Sequence, residues 1–331
     1  MDYTESYTAD FYAEFVDPVT WVDTGKIEII DGAASRSSDN LRQSAELTTT
    51  DYEETQERWV RVYMDAIQGN NVSHDAVFTG LATTPAREID GTIVTKTLAC
   101  YSVLKPCDDI LLPRGWYAPA GANSAKVIKD LLKYTPAPVI IADGAPDLSD
   151  HIIAEDNETP LTMIDTILTA INWKMQISGD GTINLSPLSD NVAAAFSPDG
   201  FDIVQQSLSV SRDWFDCPNV FRAEADGQSR TAKDESTGPL SISSRGREVW
   251  MADDDAELAS NETLAEYAER RLKEEQQIEE TVSYTRAYLP DVNVGDRIEL
   301  NYDEIQGTYE VTSQSIELTF AGETEEEVKR V

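Results

Sequence analysis

The chain has 331 residues, with 26 Lys and Arg against 61 Asp and Glu, a formal net charge of −35. A hydrophobic fraction of 40% excludes a disordered acidic chain, and the length suits about two to three domains. The charge excludes a general binder of nucleic-acid backbones, which needs Lys and Arg to displace counterions, and argues against adsorption to an anionic membrane.

The first hundred residues read as β structure. Lys26–Ile30 is a strand closed by the Asp31-Gly32 turn signal, and Arg58–Met64 alternates. Val77–Leu81 is a short strand broken by Gly80, and Thr92–Tyr101 carries the β-branched residues of a central strand. Short strands with turns between them predict a small barrel or sandwich.

The character changes after Pro106. Pro113, Gly115, Pro119 and Gly121 mark a connection, and Asn123 or Ser124 then caps a helix over Ala125–Leu132. The apolar run Ala137–Ala142 reads as a buried strand. A second helix is predicted over Pro160–Ile171, with Thr159 as cap and Pro160 at the first position. Trp173–Ser178 and Thr182–Ser186 form a hairpin around Asp180-Gly181, a pair that tolerates the positive φ of a tight turn. A calcium loop there lacks the further oxygen ligands it needs.

From about Asp202 the chain is β again, with strands at Ser207–Ser211 and Asn219–Ala225. Trp250–Asn261, with Asp253, Asp254 and Asp255, reads as an exposed connection. Asn261-Glu-Thr263 opens a long helix to about Glu280. Strands follow at Val282–Tyr288, Arg297–Tyr302, Gly307–Val311 and Gln314–Phe320, and Glu323–Val331 reads as a charged end.

The predicted fold class is therefore α+β, mainly β. Two small β-barrel-like domains, residues 1–105 and 201–331, flank a small α/β insert, residues 106–200. One long helix near 264–280 lies in the C-terminal part.

The three cysteines, Cys100, Cys107 and Cys217, show no CxxC. A Cys100–Cys107 pair is left open, but the count favours reduced thiols. The opening MDYTESYTADFY has no basic start and no apolar core, so it does not read as a signal peptide. No run approaches the roughly 18 apolar residues of a membrane span.

Catalytic chemistry is poorly supplied. His74 and His151 both sit in polar, loop-like sequence. GxSxG, HExxH, GxxxxGK[ST] and GxGxxG are all missing, and no spacing of Cys and His suggests a metal or cofactor site. A carboxylate pair about 5–10 Å apart would serve glycoside hydrolysis, but in so acidic a chain any such pair is a coincidence of composition. Glu274, Glu275, Glu279 and Glu280 read as a solvated helix face. Trp116 and Tyr117 read as core or seam residues rather than a carbohydrate platform.

Leu289-Pro-Asp-Val-Asn-Val-Gly-Asp-Arg-Ile-Glu-Leu300 resembles the turn and strand of phage tail baseplate hub proteins. Gly307–Leu318 is similar to the strands that follow that turn in the family. Tyr267–Leu272, the hairpin at Trp173–Pro187, Cys217-Pro-Asn-Val-Phe and Val77-Phe-Thr-Gly-Leu81 keep the family's order. The resemblance extends to late-control-like hubs and to the N-terminal part of siphophage tail-associated proteins, and covers nearly the whole chain.

That resemblance implies a non-enzymatic homotrimeric ring in which each chain supplies two related barrels. Such a ring joins the hexameric tail tube to the tip and surrounds the channel through which DNA passes without specific binding. Its implied partners are the tail tube protein, distal tail or other baseplate proteins, and tip, spike or fibre proteins. The implied location is the virion, at the tail tip or baseplate, after assembly in the host cytoplasm. The sequence ends soon after the last predicted strand, so no enzymatic region is expected. The residues singled out are structural: Asp180 and Gly181 for the hairpin, and Pro290, Asp291, Gly295 and Asp296 for the turn. No catalytic, metal or cofactor residue is assigned. The rival readings are a cell-wall-degrading enzyme using paired carboxylates and a receptor-binding adhesin.

Overall fold

The computed structural model describes residues 7–38, 41–50, 52, 56–197, 208–212, 214–225, 227–254, 256, 258, 262–276, 280–302, 305–320 and 322–331. Eight strands come first: β1 (Thr8–Val16), β2 (Asp23–Glu28), β3 (Asp31–Ser37), β4 (Gln43–Thr49), β5 (Arg58–Gln68), β6 (Asn71–Ala82), β7 (Ala86–Asp90) and β8 (Ile93–Ser102). Then come α1 (Lys105–Asp108), β9 (Tyr117–Ala118), α2 (Ser124–Leu131), β10 (Val139–Ile141), β11 (Ile152–Ile153), α3 (Pro160–Ile171), β12 (Trp173–Ile177), β13 (Ile183–Pro187) and β14 (Val192–Phe196). The remainder is β15 (Ser209–Arg212), β16 (Val220–Ala225), β17 (Gln228–Lys233), α4 (Ile242–Arg245), β18 (Trp250–Asp253), α5 (Leu264–Glu275), β19 (Glu280–Ala287), β20 (Arg297–Tyr302), β21 (Ile305–Glu317) and β22 (Glu323–Arg330).

The chain divides into two compact units, one of residues 1–208 with 283–329 and 331, the other of residues 209–282 with 330.

In the first unit the described strands run in the order β19-β22-β21-β3-β4-β8-β6-β5-β1-β2 within one sheet. This corrects the expectation of two separate barrels. Antiparallel pairing of β3 with β21, from Ala33 opposite Glu317 to Ser37 opposite Ser313, makes the early and late strands one open sheet with no closed barrel. Small residues Ala33, Ala34 and Ser35 on β3 suit close backbone approach there. Alternation builds the core beneath: Val60, Val62, Met64 and Ala66 on β5 are all buried, against Phe78, Leu98 and Ile316 from other strands.

Two sequence segments behave differently from their reading. Gly307–Val311 and the first part of Gln314–Phe320 belong to one 13-residue strand, Ile305–Glu317, in which Thr312 and Ser313 are both half-buried and shift the inward phase from Val311 to Gln314 without ending the strand. The charged end is a strand as well: in β22, Thr324, Glu326 and Val328 point inward while Glu325 and Glu327 point out. A buried glutamate at the middle inward position hid that period.

The insert follows its local signals closely. Asn123 caps α2 by accepting from the Lys126 backbone N–H at 3.1 Å. Thr159 and Thr162 close a reciprocal cap on α3, with Pro160 at its first position. Leu161, Ile164, Ile167 and Leu168 are buried against Trp173, Met175 and Ile183 of the β12–β13 hairpin. The run Ala137–Ala142 does contain a strand, β10, parallel to β13, but Ile140 on it is exposed.

In the second unit, β17-β16-β18 form a three-stranded sheet covered by α5, with Phe221, Ala223, Tyr267, Ala268 and Leu272 buried. Asp253 therefore ends a strand parallel to β16 rather than lying in a connection, while Asp255 and Asn261 fall outside the described residues. The helix is also shorter than expected. It spans Leu264–Glu275, opened by a Thr263–Glu266 capping box and closed at Gln276. Glu280 belongs instead to β19, where β-branched Thr281 and Val282 favour extended backbone. It is buried there and pairs with Arg212 and Arg330.

All three cysteines are free thiols. Burial pushes the Cys100 thiol up to about 12 and the Cys107 thiol up to about 11, whereas Cys217 is only half-buried. Only a thiolate attacks a disulfide reagent at a useful rate. We expect one thiol, Cys217, to react with Ellman's reagent at pH 8 in the folded protein, and the other two only after denaturant is added. Three thiols reacting at equal rates in the native state would contradict this.

Candidate functional site

The β12–β13 hairpin lies where the predicted turn residues converge. At its tip, Ser178–Thr182 make a tight turn: Gly181 has φ of 82° and donates its N–H to the Ser178 carbonyl at 2.9 Å. Asp180 stiffens the turn, its carboxylate accepting from the Thr182 N–H at 2.9 Å and from the Thr182 hydroxyl at 3.0 Å. The backbone of this tip is read by the sheet. The Gly179 carbonyl accepts from Thr79 Oγ1 at 2.7 Å, and the Asp180 carbonyl from Arg61 Nη2 at 3.0 Å and Trp21 Nε1 at 3.1 Å. Arg61 is itself held by Asp23 at 2.8 Å.

The flank of the hairpin meets the second predicted turn. Gly295 has φ of 83°, and Asp296 closes the turn by accepting from the Asn293 N–H at 2.9 Å. Lys174 and Gln176, two residues apart on β12, reach the same turn. Lys174 Nζ donates to the Gly295 carbonyl at 3.1 Å and to Asp296 Oδ1 at 3.0 Å. Gln176 Nε2 donates to the Val294 carbonyl at 2.8 Å and to Asp296 Oδ1 at 3.0 Å. Pro290 is half-buried at the start of the turn, and Asp291 is exposed. Tip and flank together fix one hairpin at both turns, a juxtaposition with no local sequence signal.

Between hairpin and sheet lies a cleft of about 540 Å³. Arg36 of β3 and Gln43 of β4 are direct cross-strand partners on its wall, and both are 5% exposed. Arg36 donates to Asn293 Oδ1 at 2.7 Å and to the Val77 carbonyl at 2.8 Å. Gln43 donates to the Ile177 carbonyl at 2.7 Å, while its Oε1 is buried without a hydrogen-bond partner. Across the cleft, Arg42 bonds Asp165 at 2.6 Å and the Met175 carbonyl at 3.1 Å. Burial pushes the Asp165 carboxyl above the usual carboxylate range, and Arg42 opposes that shift. Arg36, Gln43, Lys174 and Gln176 escaped sequence reading. An arginine at an inward position of a small-residue strand was the one available signal.

Other candidates do not assemble a catalytic constellation. Among the described residues no group of three His, Cys, Asp or Glu side chains is placed to hold a metal. His74 is exposed and pairs with Asp65 at 2.6 Å, and its ring stacks on Tyr63. His151 is exposed. Glu274 and Glu275 pair with Arg270 and Arg271 on α5, and Glu279 lies outside the described residues. Trp116 packs against the insert core, whereas Tyr117 is exposed.

No protein-family model and no curated protein matches the sequence. Solved structures do match the fold. The 43 kDa tail protein of prophage MuSo2 from Shewanella oneidensis superposes with a TM-score of 0.68 at 14% identity, covering 98% of both chains. The tail protein from Neisseria meningitidis MC58 gives 0.64 at 15% identity, covering 97% of each. A chain of the half-lidded Francisella PdpA–VgrG complex gives 0.58 at 7% identity, over 98% of this chain and 58% of that one. No helix among the described residues is long and apolar enough to cross a membrane. From the early strands through the insert to the closing strands, this chain has the fold of phage tail proteins, the fold its C-terminal turn and strands resemble in sequence.

Proposed function

We propose that this chain is a structural component of a phage or phage-like tail, a baseplate hub or tail-tip protein. One observation carries the reading: end-to-end likeness to a prophage tail protein, with 98% of both chains covered and no large segment left over. In this reading three copies form a ring that joins the hexameric tail tube to the tip. The ring contacts the tube protein, distal tail or other baseplate proteins, and tip, spike or fibre proteins. It is assembled in the host cytoplasm and resides in the virion. We retain residues 106–200 as an insert between two β-rich domains, residues 1–105 and 201–331, and Asp180, Gly181, Pro290, Asp291, Gly295 and Asp296 as residues that shape the chain rather than bind ligands.

The charge supports the channel. A net charge of −35 on each chain is compatible with a ring whose inner wall is acidic, and such a wall would repel the phosphate backbone and let DNA pass without sticking. The mechanism is packing of preformed faces, with no covalent step and no cofactor.

Light scattering after size exclusion tests the reading, with the chain alone and mixed with the tail tube protein of the same element. We expect a species of three times the chain mass, seen as a ring in negative stain, either alone or on the tube. A monomer under both conditions overturns it, as does cell-wall hydrolysis by the purified chain that is lost on mutating two acids.

A further inference from the structure

In the second unit the segment between β15 and β16 is exposed yet tied down. Arg245, at the end of α4, donates to the carbonyls of Phe215 and Cys217, and Arg247 donates to that same Phe215 carbonyl. Arg247 Cζ also lies 4.2 Å from the centre of the Phe215 ring. Phe215 is nevertheless 69% exposed, and Trp214 beside it 39%. On β18, an edge strand of the same sheet, Trp250 and Met251 are exposed as well. A ring that only faced water would need no such anchoring. One fixed in advance is an apolar anchor that loses little further freedom on binding.

The charge here runs against that of the chain. Among the described residues neither Arg245 nor Arg247 pairs with a carboxylate. Of the acids close in sequence, Glu248 is bonded to Lys233 at 2.6 Å, and Asp216 is exposed. Exposed charges more than about 8 Å apart are largely screened at physiological salt, so local groups, not the total of −35, decide what meets this face. Aromatic residues, Met and Arg are also the types enriched at protein interfaces.

We propose that Trp214, Phe215, Arg245 and Arg247 form the docking face for a second copy of this chain, with acidic side chains of that copy on the two guanidinium groups. This contact rests on the ring reading above and names the face through which the ring closes. Charge complementarity selects the occupant: with 61 acidic residues against 26 basic ones, a second copy is rich in carboxylates, which bond a guanidinium through two parallel N–H donors. The same charge fixes the symmetry. Laid across a two-fold axis, this face would set Arg247 against its own counterpart, and like charges in contact repel. The contact therefore joins two different surfaces head to tail, the kind that closes into a ring rather than a two-fold pair.

Light scattering after size exclusion, over a range of concentrations, tests this with the full chain as wild type, Arg247→Glu and Arg230→Glu, each alone and with the tail tube protein. Arg230 is exposed on β17, at the opposite edge of the sheet from β18, and donates to the Ser229 carbonyl, so its reversal makes the same change of net charge elsewhere. We expect a wild-type species of three times the chain mass, weakened about tenfold by Arg247→Glu and left near the wild-type value by Arg230→Glu. If circular dichroism shows that Arg247→Glu does not fold, Phe215→Ser carries the comparison, and removing the exposed ring should weaken assembly to a similar extent. A trimer that the folded face variant leaves intact overturns the proposal and leaves the ring reading standing. Equal weakening by the face variant and Arg230→Glu overturns it too, because net charge alone then accounts for the loss. Open chains or larger rings that are lost in the face variant overturn the ring reading and keep the contact. A two-fold dimer, or a wild type that stays a monomer under both conditions, overturns both.

Discussion

Gly179→Ala should cost about 3 kcal/mol or more of stability, the upper range for overpacking a core, read as a fall in the urea midpoint. A β-carbon on Gly179 would stand 1.7 Å from the Ala76 carbonyl oxygen and 2.4 Å from its carbon. Both are backbone atoms of β6, so no side-chain rotation relieves the clash. The hairpin tip must lift, and with it go the bonds from Thr79 to the Gly179 carbonyl and from Arg61 and Trp21 to the Asp180 carbonyl. Gly115→Ala is the control. Gly115 has φ of 79° but open space around it, so the variant meets only the backbone penalty of about 1–2 kcal/mol. Equal losses in the two variants would show that the tip is not held by its docking.

The second large effect lies in the buried pair of β19 and β22. Arg286 and Glu326 are 0% and 2% exposed, and Arg286 bonds both carboxylate oxygens of Glu326. Tyr284 and Gln314 also donate to that carboxylate, Gln314 at 2.7 Å, and Phe196 lies 5.8 Å from the guanidinium. Burial, with the facing carboxylate, holds the Tyr284 phenol well above its ordinary range, so it remains a donor. Removing one partner strands the other charge. Arg286→Met and Glu326→Leu should each cost about 3–5 kcal/mol, while the double variant costs far less than their sum. Urea unfolding of the four proteins in that cycle measures the coupling. Additive losses would mean that the two groups act independently.

Local chemistry made much of this chain legible in advance. Thr159-Pro160 announced α3, Asn123 announced α2, and Asp180-Gly181 marked a turn that needs positive φ at Gly181. Alternation found the core strands, because a pleated backbone sends successive side chains to opposite faces. It failed at some strands with polar inward positions, though Val282–Tyr288 was read as a strand despite the buried Arg286. Glu326 made β22 look like a solvated tail, and Arg36 and Gln43 lie inside the fold where a polar reading placed nothing. The helix of the second unit overran for a related reason: Glu-rich sequence continued past Gln276, and the β-branched Thr281-Val282 that ends the helical reading comes only afterwards.

The sequence by itself determined the helices of the insert with their caps, the two turns, several of the core strands, the acidic composition and the likeness to phage tail proteins, since each depends on residues a few positions apart or on composition. Only the tertiary structure decided that β3 and β21 share a ladder, that one hairpin is held at both predicted turns, and that Arg36 and Gln43 meet across β3 and β4. Those outcomes depend on which strand edges pair and which buried polar groups find partners. Both are settled by contacts between residues far apart in the chain, and no local period encodes them.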